Sequence, residues 1–181
     1  MRGFNRRFMH AAGIVAAISA FALHAPAMAQ TVTGTIDATI TLTSACEVNG
    51  STATTGVEFG TLDFGSHTTL FTEATTELQT DSGAGISIQC SPGSDASLTV
   101  TGGSNDGTVP GSSRAMSNGT SLVPYDLYSD VGLLATLANG TSIPVTGDGT
   151  VQTIPIYGRA LGTALLTPGT YSDTVAVTLS F

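Results

Sequence analysis

Beyond residue 30 the chain alternates between apolar and polar positions with a period of two. In "QTVTGTIDATITLT", Val32, Gly34, Ile36, Ala38, Ile40 and Leu42 fall on one side. Thr31, Thr33, Thr35, Asp37, Thr39, Thr41 and Thr43 fall on the other. This period is the signature of a half-buried β-strand, and a dozen residues is longer than the usual ~5–6. The pattern predicts a first strand over 31–48, broken near Ser44–Cys46. At the other end, Tyr171, Asp173, Val175, Val177, Leu179 and Phe181 alternate with Ser172, Thr174, Ala176, Thr178 and Ser180. They predict a last strand over 171–181.

Between these ends the hydrophobic runs are short, and Gly-rich turn signals separate them. "VEFGTLDFG" (57–65) sets Val57, Phe59, Leu62 and Phe64 around Gly60, which reads as a bulge or bend. Residues 67–80 fit no single element and read as a strand plus a loop. "GISIQC" (85–90) and "ASLTVTGG" (96–103) read as two strands paired across the "SPGSD" turn. Residues 104–121 form a long loop with one weak strand. Residues 122–130 read as a strand whose Pro124 marks an edge or bulge, and 132–137 as a short strand or turn. Residues 150–161 read as one strand with an edge-type Pro155. No segment after residue 30 keeps a helical period. The expectation is an all-β chain of short strands and turns, a sandwich or a barrel, with no internal repeat and no linker dividing it.

The first 29 residues are of another kind. Arg2, Arg6 and Arg7 precede the apolar run "FMHAAGIVAAISAFALHA", and Ala27-Met28-Ala29 is a small-x-small cleavage site. This reads as a secretory signal peptide over 1–29, with the exported chain starting at Gln30. A membrane anchor is the competing reading; His10 and His24 interrupt the run and the cleavage site follows at once. The remaining ~150 residues suit a single domain with a sizeable core.

Export changes the charge. The chain has five Lys and Arg in all, three of them in the leader, against 13 Asp and Glu. Only Arg114 and Arg159 remain after residue 29, giving a formal charge of −11. Such a surface lacks the cationic footprint for phosphate backbones, which excludes nucleic acid as a partner class. It is equally unsuited to anionic membranes. The two cysteines, Cys46 and Cys90, are an even count in an exported chain and point to a disulfide. With His67 the one histidine left, they make a poor metal site; a free thiol is the other alternative.

Catalytic sets are not apparent. Ser66 and His67 are neighbours, but adjacency in sequence makes no triad. Glu73 and Glu77 read as solvated charge; a glycosidase pair would need a separation that sequence cannot set. "DSGAG" (81–85), "SNDG" (104–107) and "TGDGT" (146–150) combine Asp and Gly as calcium loops do, without matching the twelve-residue pattern. The triplets at Asn49, Asn118 and Asn139 match the N-glycosylation pattern, but Asn-Gly is first a turn dipeptide. No cofactor, metal or small-molecule substrate is expected.

"TGTIDATITLTSACEVNG", "FGTLDFG", "ISIQC", "PYDLYSD", "IPIYGR" and "PGTYSDTVAVTLSF" together resemble the spore coat protein U domain family, which includes pilins of archaic chaperone–usher pili. The resemblance covers nearly the whole exported chain. It implies an incomplete immunoglobulin-like β-sandwich that is completed by donor-strand exchange. Residues 30–42 would be the donor segment and 43–181 the pilin domain, with a boundary near Thr41–Cys46. Val32, Gly34, Ile36, Ala38 and Ile40 would form the donor face. Val175, Val177, Leu179 and Phe181 would form the acceptor edge and the chaperone contact. Cys46 and Cys90 would tie the start of the domain to a core strand. The implied partners are neighbouring copies or other pilin subunits, a periplasmic chaperone and an outer-membrane usher. The implied product is a cell-surface fibre for adhesion or biofilm formation. A secreted adhesin or binding module, or a spore-coat protein that forms no pilus, is the alternative. The absence of Trp and the presence of only four Tyr argue against a sugar-binding platform.

Overall fold

The computed structural model describes Met28 and residues 30–181. The signal-peptide assignment therefore lies almost wholly outside the described residues. The chain divides into two units, one ending at Ile40 and the other spanning Thr41–Phe181.

Among the described residues every regular element is a β-strand. In order these are β1 (Cys46–Val48), β2 (Glu73–Glu77), β3 (Gln79–Thr80), β4 (Gly83–Ala84), β5 (Ile86–Cys90) and β6 (Ala96–Val100). There follow β7 (Arg114–Ser117), β8 (Leu122–Tyr128), β9 (Thr141–Val145), β10 (Val151–Ile154), β11 (Tyr157–Leu161) and β12 (Val177–Ser180). They pair antiparallel in four sheets: β1-β5-β10, β2-β11-β8-β7, β12-β6-β9 and the small hairpin β3-β4.

The core follows from the period of two. In β5 and β6 every second side chain is buried, Ile86, Ile88 and Cys90 in one and Ala96, Leu98 and Val100 in the other. Val123, Tyr125, Leu127, Leu137, Val145, Ile156 and Ala160 join them in one cluster. One charged side chain is buried among the described residues, Arg114, which is 1% exposed. Its guanidinium donates to the carbonyls of Leu137 (2.9 Å) and Thr101 (3.1 Å), so its charge sits against two backbone dipoles.

Several expectations change. The predicted strand over 31–48 is reduced to Cys46–Val48, and residues 30–45 carry no strand and are exposed. Alternation states which face is apolar; a strand also needs a partner for its N–H and C=O groups. The last strand is likewise ordered as a ladder only over Val177–Ser180. Strands β5 and β6 exist, but they do not pair: β5 lies between β1 and β10, and β6 between β12 and β9. The 91–95 turn changes sheet.

Pro124 is not on an edge strand, since β8 lies between β11 and β7. It sits one residue beyond the β11 ladder, which runs over Tyr125–Tyr128, so its missing N–H costs no bond to β11. Pro155 does more than mark an edge. It divides the predicted single strand into β10, at the edge of one sheet, and β11, in the interior of another. Strand β9, which carries Pro144 within "TSIPV", was not predicted. Residues 132–137 form a turn with one bridge, Tyr128↔Thr136. Gly60 takes φ +136, a conformation that favours glycine, and a Cβ there would collide with Leu78 and with the Gln79 carbonyl.

Candidate functional site

The last strand borders an open apolar groove. Strand β12 pairs with β6 on one side and is the edge of its sheet on the other. Its free edge carries unpaired N–H and C=O groups, a template for another strand. Val175, Val177 and Leu179 point inward yet are only half-buried, while Ala176, Thr178 and Ser180 are exposed. Facing them is the segment 52–64. Apart from the Thr61↔Gln79 bridge this segment has no ladder, and its Glu58 carbonyl is held by the Asn49 side chain at 2.8 Å. Val57, Phe59, Leu62 and Phe64 lie half-buried against the core.

Between these walls is a cavity of about 990 Å³, floored by core residues such as Leu78, Leu127 and Ile156. Val175, Val177, Leu179 and Phe181 all line it, so the structure brings the four proposed acceptor residues together. Phe181 stands at the end of the groove, 59% exposed. The second wall, Val57 to Phe64, was not assigned a site role from sequence. Its signal was present, because Val57 and Phe59 change phase to Leu62 and Phe64 across Gly60.

Local chemistry holds each wall. Gly158 on β11 lets the Phe64 ring approach the backbone closely: a Cβ there would be 2.8 Å from Phe64 Cζ. The same ring meets Tyr125 edge-on, with centroids 6.1 Å apart at 67°. On the other wall, side chains order the stretch leading into β12. Ser172 exchanges two 3.0 Å backbone bonds with Ser117. Tyr171 Oη donates to the Thr167 carbonyl at 2.7 Å and also meets Ser121 Oγ. The Asp173 carboxylate accepts the Ser104 N–H and the Tyr125 hydroxyl, both at 2.8 Å. Burial, together with that bond and the negative charge of Asp173, pushes the Tyr125 phenol far above its ordinary value; Arg114 opposes the shift.

The cysteines form a disulfide, Cys46–Cys90, with an S–S distance of 2.01 Å. It joins directly opposed residues of β1 and β5, and Cys46 lines the end of the groove. The metal and free-thiol alternatives fall with it.

The proposed donor residues show the complementary feature. Val32 is 97% exposed, Ile36 96% and Ile40 83%. Ala38 is exposed, and a Cβ placed on Gly34 would meet nothing within 4 Å.

The remaining candidates resolve into local structure. His67 Nε2 lies 2.7 Å from the Phe64 carbonyl and its ring lies 5.4 Å from that of Phe71. Glu73 and Glu77 lie at the two ends of β2. Asp148 accepts the Thr150 N–H and hydroxyl, which holds its carboxyl below the usual range. Asn49 takes φ +51 in its turn while its side-chain oxygen accepts the Ser87 N–H of β5, and Asn118 organises a turn by accepting the Thr120 N–H. Among the described residues no three His, Cys, Asp or Glu are placed to hold a metal ion.

Comparison with known proteins gives three similarities. The family profile described as Spore Coat Protein U domain matches residues 32–178. Protein U of Myxococcus xanthus is 28% identical over 178 residues, spanning 94% of this chain and 97% of that protein. Among solved structures, the chain is similar to the CsuC–CsuE chaperone–tip adhesion subunit pre-assembly complex from the archaic chaperone–usher Csu pili of Acinetobacter baumannii. That similarity is 20% in sequence with a TM-score of 0.43, covering 78% of this chain and 40% of the other.

Proposed function

Because the chain belongs to the Spore Coat Protein U domain family, we propose that it is a structural subunit of an extracellular fibre, a chaperone–usher pilus, assembled by donor-strand complementation. The observation that carries the reading is the groove of about 990 Å³ between the free edge of β12 and the ladderless 52–64 wall. An inserted strand would give β12 the backbone partner it lacks and bury Val175, Val177 and Leu179, making the domain a complete immunoglobulin-like sandwich. The natural occupant is residues 30–42 of another copy, whose Val32, Gly34, Ile36, Ala38 and Ile40 present one apolar face.

A groove on one part of the chain and an insert on another make a head-to-tail joint, which propagates into a fibre instead of closing. Before assembly the groove exposes apolar wall to water, so the free subunit needs a temporary strand from a periplasmic chaperone, and an outer-membrane usher for the exchange. The Cys46–Cys90 bond suits that oxidising route. The fibre would serve adhesion or biofilm formation at the cell surface.

The test is removal of residues 30–40. The full chain should give SDS-resistant ladders and filaments; the shortened chain should remain a chaperone-bound monomer. Filaments from the shortened chain would refute the assignment, and folded monomers from both would bring forward a binding module or a coat protein.

A further inference from the structure

A second apolar feature lies at one pole of the domain, apart from the groove. The registers locate it. Cys46 opposes Cys90, Ser180 opposes Ser97, and only residues 91–95 separate β5 from β6. The start of β1 and the end of β12 therefore share one pole. At the other pole, Leu122 opposes Ser117, Ser117 bridges Ser172, and Leu161 opposes Glu73. The loops 66–72 and 162–167 project there.

These loops enclose a cleft of about 410 Å³ that includes Leu70, Phe71, Gly162, Leu165 and Leu166. Leu70 is 87% exposed and Leu165 93%. Leu165 also holds φ +68, a left-handed conformation that costs an L-residue energy and that no burial of its own side chain offsets. Gly162 lets the two loops approach closely at the base of the cleft, because a Cβ there would run into the Phe71 carbonyl. The cleft adjoins the mouth of the groove: Thr167, next to Leu166, is bonded to Tyr171, which lines the groove.

We propose that this pole seats a second copy of the chain, specifically its linker 41–45 with Leu42 foremost; the inference rests on the fibre reading above. Leu42 is 82% exposed. The chain from Ile40 to Cys46 spans at most about 20 Å, so a copy whose strand fills the groove has its body held close to one mouth. A strand entering parallel to β12 would bring that body to the Cys46 pole, where this chain's own linker departs. Two neighbours would then crowd one pole, and the joint would not repeat. An antiparallel strand brings the incoming linker to the Leu70–Leu165 pole and leaves the Cys46 pole free for the next joint.

The test uses chains starting at Gln30. Both native cysteines are bonded to each other, so an introduced thiol is the only free one. Chains carrying Leu42→Cys and chains carrying Leu165→Cys are co-assembled, oxidised, and run without reductant before and after boiling. Expected is a mixed dimer that survives boiling, is lost with dithiothreitol, and is lost when residues 30–40 are removed from both chains. Val131→Cys, on the loop at the opposite end of β8, should give no such dimer with Leu42→Cys. SDS-resistant ladders before boiling without the mixed dimer overturn this proposal and leave the fibre reading standing. A mixed dimer that persists without residues 30–40 overturns it as well. Absence of ladders from the unsubstituted chain overturns both. Leu70→Asp with Leu165→Asp, at exposed positions, should keep the ladders and lose filament straightness; unchanged filaments count against the seat.

Discussion

Replacing Ile36 with Ala in the donor segment tests the strand-face assignment most directly. Ile36 is 96% exposed in the free chain, so nearly its whole side chain is available for burial on docking. The change removes three carbons, worth about 2.4 kcal/mol at ~0.8 each. That corresponds to a loss of roughly 50-fold in affinity. Thr35 is the internal control, because its side chain falls on the opposite face and would stay wet; Thr35→Ala should shift affinity less than about threefold, within ±0.5 kcal/mol. The assay is competition. A labelled peptide of residues 30–42 is bound to the chain lacking 30–40, and unlabelled Ile36→Ala and Thr35→Ala peptides displace it. Equal weakening by the two changes, or a larger effect at Thr35, would show that the segment does not bind by its alternating face. The reasoning from period to groove would then be wrong even if fibres form.

Other outcomes follow from the same structure. Reducing Cys46–Cys90, or changing both to Ser, reopens a loop of sequence separation 44; the chain-entropy treatment gives a loss of about 4 kcal/mol. Thermal unfolding of a domain this size should fall by about 10 °C. Arg114→Leu leaves the buried carbonyls of Leu137 and Thr101 without their donor. It should cost about 3 kcal/mol in urea unfolding; no change would mean that water satisfies those carbonyls. Tyr125 predicts an alkaline limit. Its folded pKa is raised above the unfolded value, so its contribution is complete below about pH 10 and is lost as pH rises further. Urea midpoints measured from pH 8 upward should decline above about pH 10, and Tyr125→Phe should flatten that decline while costing about 1–3 kcal/mol at neutral pH, where Asp173 loses a donor.

The legible parts of the sequence were those governed by near neighbours. The alternation in "ISIQC" and "ASLTV" gives the buried sets of β5 and β6 residue for residue. The need for glycine at residue 60, the Asn-Gly turns and the even cysteine count were also readable, because each depends on a residue's own conformational limits or chemistry. The inward face of the last strand was readable too, and it lines the groove with the residues named from sequence.

What the sequence could not decide was pairing. The "SPGSD" turn fits a hairpin equally well, and only the packed fold shows that it carries the chain from the β5 sheet to the β6 sheet. Pro155 looked like an edge feature; in three dimensions it is where β10 ends and β11 begins in another sheet. The 52–64 wall, the buried Arg114 and the pole formed by Leu70 and Leu165 each join residues distant in sequence. The sequence by itself determined which side chains of β5, β6 and β12 face inward, since a period of two is a property of one extended backbone. Tertiary structure decided which backbone edges find partners. A ladder is a contact between distant segments, and one strand's alternation does not specify the other. The groove is where that pairing stops, so it appears only once every other edge has been assigned.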